Sequence, residues 1–156
     1  CQRWGTLRSK SAWKSAGSGK RSSAERTNSP ILRDPTRFDV LLMENLYGDV
    51  ISDLCAGLVG GLGMVGAANL GRDIAVFEAV HGSAPDIAGK GIANPIGAIR
   101  SAAMMMDWLG EREMALKIEA AVQNSLCQGI TTPDLGGCNS TAGVAEAIAN
   151  CLHVTV

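Results

Sequence analysis

The segment from Asn45 to Asp53 holds two carboxylates four positions apart, the residue types and spacing in this chain with the clearest capacity for chemistry. A mainly apolar run before it, Phe38 to Met43, predicts a buried strand, and the apolar segment Val50 to Val59 predicts a helix. Positions i and i+4 share one face of a helix. We therefore expect Asp49 and Asp53 to point the same way at the start of this helix.

Aligned carboxylates of this kind are suited to a divalent cation. Mg²⁺ and Mn²⁺ prefer hard oxygen ligands, and in proteins they usually take one or two carboxylates together with oxygens from substrate and water. A second interpretation needs no metal, because the helix dipole favours acidic residues in the first turn of any helix. The spacing alone leaves both interpretations open.

Composition limits the class of protein. The chain has 156 residues, of which 46% are hydrophobic and only 4% aromatic, so one domain with an aliphatic core is expected. No apolar run reaches the ~18 residues that span a bilayer, and no secretory signal is recognised. Five cysteines without metal-binding spacing predict free thiols in a reducing compartment, the cytoplasm or the mitochondrial matrix, and argue against zinc.

Charge is distributed unevenly along the chain. Residues 1–37 hold nine Lys/Arg and two acidic residues, a net charge of +7, whereas residues 38–156 hold five basic and 13 acidic residues, a net charge of −8. The Ser-rich, basic composition of residues 1–29 predicts a disordered or foreign segment before a folded part at 30–156. A nucleic-acid-binding protein led by this basic tail is one alternative function class, although we do not favour it.

From residue 38 onward, short apolar runs alternate with helical periodicity, which predicts an α/β fold. The predicted strands are Phe38–Met43 and Ile74–Ala79, and the predicted helices are Asp49–Leu58, Pro95–Leu109, Glu111–Cys127 and a last helix that Ser140 or Thr141 caps and that ends near Leu152. Loops are expected at Gly60–Gly66, His81–Asn94 and Thr131–Asn139.

Two of these loops carry motifs. Gly61–Gly66 fits GxGxxG, but the dinucleotide fingerprint must leave a strand and enter a helix, whereas this one leaves a helix. We expect these glycines to end the helix and to allow close backbone packing. His81–Asn94 is a long loop of small residues between a strand and a helix, which could bring backbone amides close to a ligand or could be a structural crossover only.

Three co-linear motifs resemble the metal-dependent β-decarboxylating dehydrogenases, the isocitrate and isopropylmalate dehydrogenase family. They are Asn-Leu-Tyr-Gly-Asp-x-Ile-Ser-Asp at 45–53, His-Gly-Ser-Ala-Pro-Asp-Ile-Ala-Gly-Lys at 81–90 and Ala-Asn-Pro at 93–95. Asp134–Gly137 and Ser140-Thr141 fall where the family has its late loop. The resemblance implies an isocitrate/isopropylmalate dehydrogenase-like fold, of which this chain is the C-terminal part. The run Leu54–Gly63 is most similar to NAD-dependent isocitrate dehydrogenases.

The resemblance assigns roles to particular residues. It implies that Asp49 and Asp53 bind Mg²⁺ or Mn²⁺ together with the substrate, and that a loop from Glu78 to Asn94 binds NAD. The cofactor-binding residues it implies are Glu78, His81, Gly82, Ser83, Ala84, Pro85, Asp86, Ile87 and Asn94. A carboxylate at Asp86 can accept hydrogen bonds from ribose hydroxyls and would repel a 2′-phosphate, which favours NAD over NADP.

The implied reaction is oxidation of a 2-hydroxy acid, isocitrate to 2-oxoglutarate, by NAD with loss of CO₂, in a homodimer formed through the helix after Asp49. The family's catalytic Tyr and Lys are not recognisable, and Tyr47 belongs to the metal motif instead. We therefore expect this chain alone to be inactive. Isopropylmalate, homoisocitrate and tartrate dehydrogenases remain alternatives, as does a non-catalytic subunit or fragment that keeps the cofactor and dimer surfaces.

Overall fold

The structure, a computed structural model, describes residues 31, 33–38 and 41–153. The contacts between residues group the chain into two compact units, one that ends at Ile51 and a second from Ser52 to Val156. The predicted change of character between residues 29 and 30 lies outside the described residues. None of the helices in the described part of the chain is long and apolar enough to cross a membrane.

The prediction of a strand over Phe38–Met43 is wrong, as far as the described residues of that run show. Phe38 and residues 41–43 have no regular secondary structure, and residues 39–40 lie outside the described part. Leu42 is 84% exposed, so it is not a buried strand residue. A strand forms only when a neighbouring strand takes its backbone hydrogen bonds, and no described strand pairs with this run.

The first helix, α1, spans Asn45–Leu58 and begins four residues before the predicted start. Its hydrogen bonding already includes a bond from the amide of Gly48 to the carbonyl of Glu44, 2.8 Å long. Asp49 is therefore the fifth residue of the helix, and the first turn contains no acidic residue. The interpretation that the helix dipole gathers acids in the first turn does not apply to α1.

A β-hairpin follows in the second unit. Strand β1, Gly66–Leu70, pairs antiparallel with β2, Ala75–Ala79, in a register that places Gly66 opposite Ala79. The prediction of β2 is confirmed within one residue. Strand β1 is not among the predicted strands, and only its first residue, Gly66, falls in a predicted element, the Gly60–Gly66 loop. Its sequence, Gly-Ala-Ala-Asn-Leu, lacks the β-branched and aromatic residues that mark strands. The hairpin packs against α2, Ile96–Trp108, where Phe77 meets Trp108 with ring centroids 6.1 Å apart.

Three helices build the core of the second unit. Helix α2 packs against α3, Arg112–Cys127, which packs against α4, Thr141–His153. All three predicted helices are confirmed within about one residue at each end. Ser140 caps α4 as predicted, because its hydroxyl accepts a 3.1 Å hydrogen bond from the amide of Gly143. The buried cluster consists of Met64, Ile96, Ala121, Val122, Val144 and Ile148.

The GxGxxG run serves packing, as predicted. The amide of Gly61 bonds back to the carbonyl of Ala56 and so closes the end of α1, with Gly61 at a φ of +105°. Gly66 faces the backbone of α2 so closely that an added Cβ would lie 2.7 Å from the nitrogen of Ser101. The run contains a 3₁₀ turn, Leu62–Met64, and leads from α1 into β1, so it does not have the strand-to-helix context of a nucleotide loop.

Gly66→Ala will lower the free energy of unfolding by about 1–3 kcal/mol, the usual cost of overpacking. The new methyl group would meet main-chain atoms of Arg100 and Ser101 in α2, which cannot rotate away. Urea unfolding followed by circular dichroism measures the change. Gly57→Ala is the matched control, since an added Cβ there has no atom within 4 Å and should stabilise α1 by about 0.5–1 kcal/mol.

Candidate functional site

The predicted cofactor-binding residues occupy the end of β2 and one loop, residues 80–95, called the 80–95 loop below. Glu78 lies on the exposed side of β2, where its carboxylate accepts a 3.1 Å hydrogen bond from the side chain of Asn69 on β1. The carbonyl of Glu78 lies 2.6 Å from the hydroxyl of Ser101, a buried residue of α2. The strand that leads into the loop is therefore held by α2 through a hydrogen bond as well as by packing.

The first half of the loop is exposed at every residue from His81 to Asp86. Nδ1 of His81 lies 3.0 Å from the carbonyl oxygen of Gly82. Because a carbonyl oxygen only accepts, Nδ1 is the donor in this contact. Ala84 has a φ of +40°, and among the described residues it is the only non-glycine residue with a positive φ. Such left-handed conformations cost energy and cluster at functional sites.

The middle of the loop is a pair of tight turns. The amide of Ile87 bonds to the carbonyl of Ala84 at 3.1 Å, and the amide of Lys90 bonds to the carbonyl of Ile87 at 3.1 Å. Asp86 lies within the first turn and is exposed, whereas Ile87, which the two turns share, is partly buried. The carboxylate predicted to meet ribose hydroxyls is thus presented to solvent by a hydrogen-bonded turn.

The end of the loop is fixed from a distant part of the chain, residues 131–141. The hydroxyl of Thr141 donates to the carbonyl of Ala93 at 2.6 Å, and its amide donates to the carbonyl of Gly91 at 2.8 Å. The side chain of Asn94, 7% exposed, donates to the carboxylate of Asp134 at 2.9 Å. Of the candidate cofactor residues, Asn94 is therefore the one whose side chain is buried and bonded within the protein.

The anchoring residues of the 131–141 segment belong to the recognised motifs, but nothing in their sequence indicates what they contact. Asp134 and Thr141 lie 40 and 48 residues from their partners in the loop. Thr132, which also bonds to Asp134, is 1% exposed and is not among the residues that the motifs indicate. A Thr beside the Pro-Asp turn at 133–134 is the only sequence signal that could have pointed to it.

The predicted metal ligands, Asp49 and Asp53, both lie on α1 and are both exposed. As residues four apart on one continuous helix they are on the same face. Within the described residues no group of three or more His, Cys, Asp or Glu side chains is placed to hold a metal ion. Two carboxylates fit a Mg²⁺ or Mn²⁺ that takes its remaining ligands from substrate and water, so the donor set is compatible with such a cation.

Comparison with known proteins decides the family. The sequence model described as isocitrate/isopropylmalate dehydrogenase matches residues 23–149. This chain belongs to the isocitrate/isopropylmalate dehydrogenase family. The family prediction is confirmed, and so is the fold: a crystal structure of isocitrate dehydrogenase from Methylococcus capsulatus matches 83% of the chain, and 39% of its own, with a TM-score of 0.79 and 49% sequence identity.

Similar curated proteins of the family differ in the substrates that their names give. Isocitrate/homoisocitrate dehydrogenase of Thermus thermophilus is 59% identical over 118 residues, which are 76% of this chain and 35% of that protein. A 3-isopropylmalate/3-methylmalate dehydrogenase of Methanocaldococcus jannaschii is 52% identical over 122 residues, 78% of this chain and 37% of that protein. The chain thus spans about a third of the length of the curated relatives it matches.

A third relative carries a cofactor in its name. The mitochondrial "isocitrate dehydrogenase [NAD] catalytic subunit 5" of Arabidopsis thaliana is 51% identical over 126 residues, 80% of this chain and 33% of that protein. Family membership makes this chain part of an oxidoreductase family of β-decarboxylating dehydrogenases. The relatives do not distinguish isocitrate from isopropylmalate or homoisocitrate.

Proposed function

We propose that this chain supplies the adenine-nucleotide and metal contacts of an NAD-dependent dehydrogenase that oxidises and decarboxylates isocitrate. The observation that carries the proposal is the 80–95 loop, which is exposed at His81–Asp86 but hydrogen-bonded at both ends. A loop fixed at its ends and open in its middle can receive a ligand with little loss of conformational entropy.

Asp86 supports NAD as the nucleotide. Its exposed carboxylate can accept hydrogen bonds from the two hydroxyls of an adenosine ribose. A 2′-phosphate at the same place would bring negative charge against negative charge, which is how a site rejects a wrong ligand. The NAD-linked relative from Arabidopsis thaliana is in keeping with this choice.

NAD held by this loop would supply the hydride acceptor for the substrate carbon that bears the hydroxyl. A bound Mg²⁺ or Mn²⁺ would provide the positive charge that polarises the hydroxyl and stabilises the enolate left by CO₂. Asp49 and Asp53 would hold this cation from one face of α1. His81, Asp86 and the backbone of residues 82–85 would surround the adenosine.

Calorimetric titration of the purified chain with NAD, NADP and AMP tests the nucleotide role. We expect NAD and AMP to bind and NADP to bind at least about tenfold more weakly, a difference of roughly 1.4 kcal/mol. Asp86→Asn should reduce the preference for NAD because it removes the repelling charge. Asp73→Asn, an exposed acid in the hairpin turn, is the control and should leave the preference unchanged.

Two results would contradict the proposal in different ways. Equal affinity for NAD and NADP would overturn the choice of cofactor, and no binding of any adenine nucleotide would overturn the nucleotide role of this chain.

A spectrophotometric assay with isocitrate, Mn²⁺ and NAD tests turnover separately. Because no catalytic Tyr and Lys are recognised, we expect no sustained NADH production from the chain alone, and light scattering after gel filtration would show whether it forms the proposed homodimer.

Homoisocitrate and isopropylmalate are the alternative substrates. Each is supported by a relative of similar sequence identity whose name includes that substrate. The Thermus thermophilus enzyme is named for homoisocitrate as well as isocitrate, and the Methanocaldococcus jannaschii enzyme is named for 3-isopropylmalate. All three substrates share a 2-hydroxy acid with a carboxylate on the neighbouring carbon. The metal and nucleotide contacts proposed for this chain are the same for each of them.

A further inference from the structure

Asn94 is the most tightly constrained side chain of the 80–95 loop. Its Oδ1 accepts a 3.0 Å hydrogen bond from the amide of Ile96, and its Nδ2 donates to Oδ2 of Asp134 at 2.9 Å. A backbone amide can only donate and a carboxylate can only accept, so the two partners together fix which end of the carboxamide faces which way. On a third side Gly63 packs close to Asn94, since a Cβ added at Gly63 would lie 2.9 Å from the Cβ of Asn94.

Asp134 is itself held in place. Its second oxygen, Oδ1, accepts a hydrogen bond of 2.5 Å from the hydroxyl of Thr132, a residue that is 1% exposed. The carboxylate therefore joins a buried residue of the 131–141 segment to a buried residue of the loop. The rest of Asp134 lies at the surface, so this carboxylate contributes hydrogen bonds and not core packing.

We infer that Asp134 is a positioning residue for nucleotide binding, which acts by fixing Asn94 and with it residues 91–95. This inference rests on the proposed function, since it assigns the loop to an adenine nucleotide. Thr141 acts on the same run, because it holds the carbonyls of Gly91 and Ala93. With Asp134 removed, Asn94 loses its acceptor, and the end of the loop samples conformations that do not receive the nucleotide.

Two substitutions at this position separate hydrogen bonding from mere presence of a side chain. Asp134→Ala removes both acceptors, and since the residue is exposed it opens no cavity. Asp134→Asn keeps one oxygen for Asn94 and turns an amide nitrogen towards Thr132, whose hydroxyl can rotate to accept. We expect Asp134→Ala to bind NAD and AMP at least about tenfold more weakly than the unaltered chain, and Asp134→Asn to bind them within about threefold of it.

A second measurement needs no nucleotide. Hydrogen exchange of the free chain should show faster exchange of the amides of residues 87–94 and of Ile96 in Asp134→Ala, with exchange in α3 within about twofold of that in the unaltered chain. Asp107→Ala, the same substitution at an exposed acid of α2, is the control and should change neither binding nor exchange in the loop. Circular dichroism spectra confirm that all variants fold.

The outcomes distinguish the inference from the function it rests on. Unweakened NAD binding by Asp134→Ala overturns the inference and leaves the proposed function standing. Equal weakening in Asp134→Asn overturns the hydrogen-bond account, since the conservative variant then fails to rescue. Absence of nucleotide binding by the unaltered chain overturns the proposed function. The exchange data then decide alone whether Asp134 fixes the loop, and unchanged exchange in Asp134→Ala overturns that as well.

Discussion

Replacing Ile96 with alanine will lower the free energy of unfolding of this chain by about 2–5 kcal/mol, the range for truncating a buried isoleucine or leucine. Ile96 is fully buried, at 0% exposure, in the cluster that joins α2 to α3 and α4. The backbone hydrogen bond from its amide to Asn94 survives the substitution. The loss is therefore one of packing, with a cavity left in this buried cluster where the side chain was.

Ile74→Ala is the matched control for this prediction. It makes the same chemical change at a residue that is 74% exposed, where surface substitutions usually stay within about 0.5 kcal/mol. Urea unfolding of both variants, followed by the helical circular dichroism signal, gives the two free energies. Since ordinary domains are stable by only about 5–15 kcal/mol, Ile96→Ala should also melt on the order of 10 °C lower. A loss no larger than that of Ile74→Ala would show that Ile96 is not part of the core.

The helices of the second unit could be predicted because their information is local. In α3, the buried residues recur at three- and four-residue steps, so the buried face is visible in the sequence. They are Ala115, Ile118, Ala121, Val122 and Ser125. Pro95 and Ser140 mark the starts of α2 and α4 by known chemistry of helix ends. Periodicity and end signals agree at each of these helices.

The strands were predicted less well because pairing is not local. The run Phe38–Met43 has the apolar composition of a buried strand, yet its described residues pair with nothing. Conversely, β1 has the composition of a loop but becomes a strand because β2 lies beside it in register and α2 covers the hairpin. Composition describes a strand's own surface, whereas its hydrogen bonds depend on a partner elsewhere in the chain.

The candidate site shows the same division. The candidate cofactor-binding residues all fall within one stretch of the chain, residues 78–94, so the sequence motif indicates them together. Its anchors, Asp134 and Thr141, bond to residues 40 and 48 positions away, and only the folded structure shows the contacts. Asn94 combines the two cases. Its place in the motif predicts a cofactor contact, whereas its side chain is hydrogen-bonded within the protein.

Mn²⁺ should bind to α1 and broaden the amide resonances around Asp49 and Asp53 in a two-dimensional nuclear magnetic resonance spectrum. The prediction is argued from the helix itself: both carboxylates are exposed and lie one turn apart on a continuous helix. With two protein ligands the cation keeps several waters and binds weakly, which paramagnetic broadening still detects because it needs only a small bound fraction.

Substituting either carboxylate should greatly weaken the binding of Mn²⁺ to α1. Loss of a group that only hydrogen-bonds to a metal ligand typically weakens metal affinity about 10- to 100-fold. Asp53→Asn and Asp49→Asn each remove a carboxylate ligand, so each should weaken Mn²⁺ binding by at least that much and abolish the selective broadening. Asp107→Asn on α2 is the control and should leave the spectrum with Mn²⁺ unchanged. Broadening that persists in Asp53→Asn, or that spreads evenly over all exposed acids, would contradict a metal site on α1, because the cation would then be responding to the charge of the surface and not to paired ligands.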